Sequence, residues 1–126
     1  MKYLSIIVVA IGLWSFSSDL PFNQIGNASY YSNKFHGKRT SSGLVYHKDS
    51  MYCAHKSLKF GTYLKVTNLK NDSSIIVKVV DRMGSRSPHI IDLSMAGAQQ
   101  LNFVRNGIAK VKVETYIPQA DSTLVK

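Results

Sequence analysis

Two aspartates eleven residues apart raise the question of chemistry. In KVVDRMGSRSPHIIDLS, residues 78–94, Asp81 and Asp92 each follow apolar β-branched residues, with Arg82 and Arg86 the charged residues between them. A carboxyl group serves as a general acid when its surroundings raise its pKa toward neutrality. If Ile75, Val77 and Val79 share one face of a strand, Asp81 continues their row and emerges near a barrel mouth, where desolvation raises its pKa and Arg82 lowers it. The competing reading is an aspartate that accepts hydrogen bonds from loop amides. Asp92 has the stronger structural alternative, because it stands two residues before Ser94, the expected cap of a helix whose N-terminus favours negative charge.

Other side chains divide in the same way. His55, in YCAHKSLKFGT, could orient a substrate or tune a carboxylate, or it could be a hydrogen-bonded packing residue. His36, His47, His55 and His89, with Cys53, show no closed metal-ligand spacing, so neither a metal nor a cofactor is expected. Cys53 lacks an activating motif and reads as a buried thiol. In ASYYSNKFHGKRTSSG, Tyr30, Tyr31, Phe35 and His36 interleave with Lys34, Lys38 and Arg39. Rings stack on apolar sugar faces and cations meet acids, which suits an acidic sugar polymer; the alternative places the aromatics in the core and the lysines on the surface.

The elements that must position these residues are mostly strands. In YLKVTNL, Leu64 and Val66 alternate with Lys65 and Thr67, and in AKVKVE, Ala109, Val111 and Val113 alternate with Lys110, Lys112 and Glu114. SIIVKVV is more continuously apolar and follows Asn71-Asp72-Ser73, so residues 64–69 and 75–80 are expected to form a hairpin. Ser94 is placed to cap a short helix in which Met95, Ala98 and Leu101 gather on one face. A faint internal echo joins Gly61-Thr62-Tyr63-Leu64-Lys65-Val66 to Gly107-Ile108-Ala109-Lys110-Val111-Lys112. The pattern predicts a mainly β domain of about six strands and one short α-helix, closed as a barrel.

The N-terminus reads as a secretory signal over residues 1–17: Lys2, an apolar run from Tyr3 to Trp14, then Ser15 and Ser17 around a cleavage point. The run is shorter than the roughly 20 apolar residues a membrane span needs, and no cysteine follows it for acylation. Residues 18–25 read as a linker, 26–117 as the domain and 118–126 as a flexible tail. The length left after the signal suits one domain. Cys53 is the single cysteine, so no intrachain disulfide forms. With 16 Lys and Arg against 7 Asp and Glu, the net charge is +9, which attracts polyanions. The secretory signal makes an anionic cell-envelope polymer the expected partner and argues against nucleic acid; the alternative is a merely solvated basic surface.

NASYYSNKFHGKRTSSGLVY, CAHKSLKFGTYLKVTNL, VVDR and HIIDLSMAGAQQL, in that order, resemble the rare lipoprotein A (RlpA) type of septal lytic transglycosylase, over about residues 26–114. The resemblance implies a six-stranded double-psi β-barrel, like that of barwin and the expansins. It also implies cleavage of peptidoglycan glycan strands lacking stem peptides, leaving 1,6-anhydro-muramyl ends. The family's acidic residue in the "DR" block falls on Asp81 and its histidine on His55. The more distant barwin-like endoglucanases, expansins and membrane-bound lytic transglycosylase A family place a functional aspartate at the block of Asp92. Either aspartate is therefore a candidate acid.

With this reading the candidate substrate contacts are Tyr30, Tyr31, Phe35, Thr40, Asn68 and Arg82. The chain departs from the family at Leu44, where a glutamate is common, at His47, where an acid follows the tyrosine, and at Met83-Gly84, where "DRGP" loses its pattern. Ordinary glycosidases want two carboxyls. The chain has one glutamate, Glu114, on the outer side of a strand. A lytic transglycosylase activates no water: the muramyl 6-hydroxyl attacks the anomeric carbon, and one carboxyl serves as acid and then as base. The expected function is thus an extracytoplasmic, monomeric lytic transglycosylase. The alternative, motivated by Leu44, is a non-catalytic wall-glycan binder in the manner of expansins.

Overall fold

The computed structural model describes residues 21–118. The expected signal peptide and all of the tail but Pro118 lie outside the described residues. The first strand, β1 (Asn23–Tyr30), begins inside the expected linker. Its start is fixed by pairing, since Asn23 lies opposite Glu114 and Ile25 opposite Lys112 of the last strand.

The period-two segments form strands as their alternation requires. β3 (Tyr63–Asn68) buries Leu64, Val66 and Asn68 and turns Tyr63 and Lys65 outward. It pairs antiparallel with β4 (Ser74–Arg82), Leu64 facing Val77 and Val66 facing Ile75. The connecting turn places Asp72 at φ 63°, a left-handed conformation that aspartate tolerates. β6 (Ala109–Tyr116) buries Ala109, Val111 and Val113. The internal echo has a structural counterpart, because β3 and β6 are antiparallel neighbours and each follows a glycine of positive φ, Gly61 at 92° and Gly107 at 80°.

Two short strands complete the sheet, β2 (Tyr52–His55) and β5 (Ile91–Leu93). The six strands close in the order β1-β5-β2-β4-β3-β6. The β1–β5 and β2–β4 pairs are parallel, and the other four are antiparallel. Ile91, Leu93, Cys53, Leu64, Val66, Val77, Val79, Val111 and Val113 fill the interior. Burial pushes the Cys53 thiol far up, helped by the charge of Asp92, so it stays protonated and inert.

The helix α1 (Met95–Gln100) starts where expected, with Ser94 Oγ accepting from Gly97 N at 3.2 Å. It is too short to be stable alone and is held by packing. Gly97 allows the close approach: a Cβ there would stand 3.2 Å from Ile75 Cδ1 and 3.4 Å from Leu93 Cβ. Among the described residues no helix is long and apolar enough to cross a membrane.

Candidate active site

The two aspartates are brought together by β2. Ala54 pairs with Asp92 of β5 on one side and with Asp81 of β4 on the other, so the carboxylates flank a methyl group in one cross-strand row. Residues in such a row share a face. Ser29 of β1 continues the row beyond Asp92 and donates a hydrogen bond to Asp92 Oδ1.

A bulge makes this row possible. Cys53 pairs with Val79, but the next residue, Ala54, pairs with Asp81, leaving Val80 as the extra residue on β4. Such an insertion re-aims the side chains after it. Strict alternation from Ile75, Val77 and Val79 would have sent Asp81 into the interior row; the bulge instead turns it to the outer face. The expected continuous row is corrected accordingly. Ala54, Val80 and Tyr46 are buried, yet they stand outside the interior cluster.

Tyr46 belongs to the segment between β1 and β2. Residues 37–46 form a small hairpin in which Gly37 N donates to Tyr46 O and Tyr46 N to Lys38 O, both at 2.8 Å. Its tip is tied to the end of β4 by Ser42 N donating to Val80 O at 3.2 Å and Ser41 N to Asp81 Oδ1 at 2.8 Å. Tyr31 stacks on Tyr46 with ring centroids 4.6 Å apart, packs edge-on against Phe35 at 5.7 Å, and donates its phenolic hydrogen to Asp81 Oδ2.

Asp81 is therefore a fixed acceptor. Burial pushes its pKa up, but the hydrogen bonds from Tyr31, Ser41 N and Arg82 N (2.9 Å) outweigh it and hold the carboxyl below its ordinary value. Of the two readings of Asp81, the one in which it accepts hydrogen bonds from loop amides describes the structure, and the donors favour the anion. Tyr31 is shifted the other way, by burial first and then by its bond to Asp81 and the charges of Asp81 and Asp92, so it remains a donor. Asp92 Oδ2 has no hydrogen-bond partner among the described residues.

The remaining candidates separate. His55 is next to Ala54 in the strand and pairs with Ile91, so alternation turns it to the opposite face. It is buried against Phe22, with ring centroids 5.4 Å apart, and burial followed by the charges of Arg82 and Lys56 lowers its pKa. Its Nδ1 accepts from Ser57 N and Leu58 N, each at 3.1 Å, and it contacts neither carboxylate. Arg82 Nη1 donates to His55 O at 3.1 Å and to Leu58 O at 2.8 Å while its guanidinium lies 4.3 Å from the Phe60 ring centroid. His55 thus shapes the turn that holds Arg82, and the expectation that it faces the aspartates' groove is corrected.

Tyr30 alternates away from Tyr31, packs edge-on against Phe103 at 5.7 Å and donates to Val104 O at 2.7 Å. Thr40 is buried in the hairpin, donating to Leu44 O at 2.7 Å. Asn68 is buried at the far end of β3, where its amide donates to Leu101 O at 2.8 Å and accepts from Lys70 N at 3.0 Å. Of the expected substrate contacts, Tyr31 and the exposed Phe35 stand at the site, and Lys34 lies 5.4 Å from the Phe35 centroid. Ser29, Ser41 and Tyr46 were not among the expected residues. Ser29 was within reach, since it shares its strand face with Tyr31.

A family model described as "Lytic transglycolase" matches residues 23–113. The chain belongs to this family. Its curated relatives include the endolytic peptidoglycan transglycosylase RlpA of Neisseria meningitidis, 47% identical over 97 residues, covering 77% of this chain and 41% of the relative. The RlpA of Pseudomonas aeruginosa is 44% identical over 97 residues, covering 77% of this chain and 28% of the relative. The chain thus spans less than half the length of these relatives. Among solved structures, an expansin of Clavibacter michiganensis in complex with cellohexaose superposes with a TM-score of 0.62 at 22% identity, covering 76% of this chain and 51% of that one. The Streptomyces papain inhibitor gives 0.60 at 20% identity, covering 75% and 96%. The fold of this lytic transglycolase family member is the expected double-psi β-barrel.

Proposed function

We propose that this domain is an endolytic peptidoglycan transglycosylase, working as a monomer outside the cytoplasm on glycan strands without stem peptides. The observation that carries the reading is the cross-strand row in which Asp92 and Asp81 share one face on either side of Ala54. The names of the relatives supply the substrate class.

Asp92, with one oxygen held by Ser29 and the other without a partner among the described residues, takes the role of acid. It gives its proton to the bridging oxygen as the C1–O bond breaks. Asp81, kept anionic by its three donors, faces the positive charge that develops at C1. The muramyl 6-hydroxyl then attacks C1 and returns its proton to Asp92, so no water is consumed and the carboxyl is restored. Tyr31 and Ser41 N fix Asp81, and His55 acts at one remove through the turn that anchors Arg82.

A second reading, a non-catalytic glycan binder, is favoured by Leu44, which exposes an apolar side chain on the hairpin. Mass spectrometry of stripped strands separates the two. New 1,6-anhydro ends with wild type, and none with Asp92→Asn, support the enzyme; binding without new ends at any pH supports the binder.

A further inference from the structure

The row of the active site reaches β1 at Ser29, at the end of the β1–β6 ladder. β1 pairs Asn27 with Lys110 and Ala28 with Ala109, immediately before Ser29. Ile108 is exposed, and it lines a cavity of about 640 Å³. The row of Asp81, Ala54, Asp92 and Ser29 therefore ends beside Ala28, whose β6 partner Ala109 also lines this cavity. Its edge lies two strands from Asp92, about 10 Å at the usual strand spacing.

The lining has one chemical character. Lys70, Arg105 and Lys110 supply three cations, Asn102 and Asn106 add amides, and no carboxylate is among the lining residues. None of the three cations forms an ion pair within the described residues. The other two amides, of Asn68 and Asn71, are already used: both donate to Leu101 O and so hold the wall in place. Asn102 stands at φ 61°, a left-handed conformation that asparagine accepts, at the bend where the chain leaves α1. A concave site with several unpaired cations, amide donors and an exposed aliphatic side chain suits an acid carried on a sugar ring: guanidinium and ammonium groups take the anion, amides the hydroxyls, and Ile108 the apolar face.

We propose that this cavity is a second glycan subsite, which takes a free carboxylate on a sugar of the strand whose cleaved bond lies over Asp92. The proposal rests on the reading of the aspartate groove as a glycan-cleaving site. A phosphodiester-linked wall polymer carries the same anionic chemistry and is the competing source.

The test uses muramyl oligosaccharides with free lactyl carboxylates, the same oligosaccharides converted to carboxamides, and a phosphodiester-linked wall polymer. Calorimetric titration compares wild type, the Arg105→Gln/Lys110→Gln variant and a Lys65→Gln/Lys78→Gln control of equal charge loss, each checked for an unchanged melting curve. The wild type and the control are expected to bind the free acid about tenfold more tightly than the amide. The cavity variant is expected to lose that preference while keeping its affinity for the amide.

Equal affinity of wild type for acid and amide would overturn the proposal, as would an equal loss of preference in the control. Stronger binding of the phosphodiester polymer than of the free acid, lost in the cavity variant, would assign the cavity to the other source and overturn it too. An Asn106→Ala variant, which keeps all charges and is checked for the same melting curve, is expected to weaken acid and amide alike. Cleavage is scored separately. If wild type makes no anhydro ends yet prefers the acid through Arg105 and Lys110, the catalytic reading fails and the subsite stands.

Discussion

Asp81 and Asp92 are both paired with Ala54, one through the parallel β2–β4 ladder and the other through the antiparallel β2–β5 ladder. Their spacing is therefore set by two backbone ladders and not by flexible loops. Their surroundings differ: three donors hold Asp81, while Ser29 alone is bonded to Asp92 among the described residues.

Asp92→Asn keeps the shape of the side chain and removes the proton that the proposed mechanism needs. Formation of 1,6-anhydro ends is expected to fall by about 10²-fold or more, the usual worth of general acid catalysis. Asp81→Asn should also lower the rate, through lost stabilisation of positive charge. Strand binding by both variants should stay near that of wild type in calorimetry.

Tyr31→Phe removes the hydroxyl bonded to Asp81 and leaves the ring on Tyr46. Without that donor the Asp81 carboxyl should rise toward its ordinary value, so the acid limb of the pH–rate profile moves to higher pH. An unchanged acid limb would show that Asp81 is not titrating in the rate.

Stability should depend on the same carboxyl. The folded pKa of Asp81 lies below the unfolded value of about 3.9. Its contribution is complete above that value and disappears as pH falls through the folded pKa. Between pH 5 and pH 2, thermal melting of wild type is expected to drop more steeply than that of Asp81→Asn.

Ser94→Ala should cost about 1 kcal/mol by removing the cap of α1, a fall in Tm of roughly 4–8 °C for a domain of this size. Asp92→Asn should leave the helix intact, because the acceptor for Gly97 N is Ser94.

Phe35→Ala, on the rim of the groove, is expected to weaken binding of stripped strands several-fold. Binding by wild type should fall with added salt, since exposed charges are screened beyond about 10 Å at 0.1 M. Salt-independent affinity, unaltered in the Phe35→Ala variant, would place the strand elsewhere.

The hairpin of β3 and β4, the strand β6 and the cap at Ser94 were legible because each is written in adjacent residues: alternation, a turn triplet, a serine before a helical stripe. The site was legible in its residue types and not in its geometry. Nothing near Asp81 in the sequence announces the bulge at Val80, which lies in the ladder β4 makes with β2, a segment distant along the chain. His55 was read into the groove for the same reason, since its face depends on the register of β2 against β5. Tyr30 and Tyr31 look equivalent side by side, yet strand alternation assigns one to Phe103 and the other to Asp81. Asn68 ends a strand whose far end is the one near the site, a distance that residue type does not express.

Closure of the barrel depends on its two ends in sequence, because Asn23 of β1 lies opposite Glu114 of β6. Contacts so distant along the chain slow folding. They also impose an order on assembly: β1 has no partner on that side until nearly the whole domain has been synthesised. Until β6 is present, one edge of β1 and one edge of β3 have no partner strand, while the β3–β4 hairpin needs neither β1 nor β6. The ring of strands is thereby completed only by the arrival of its C-terminal member.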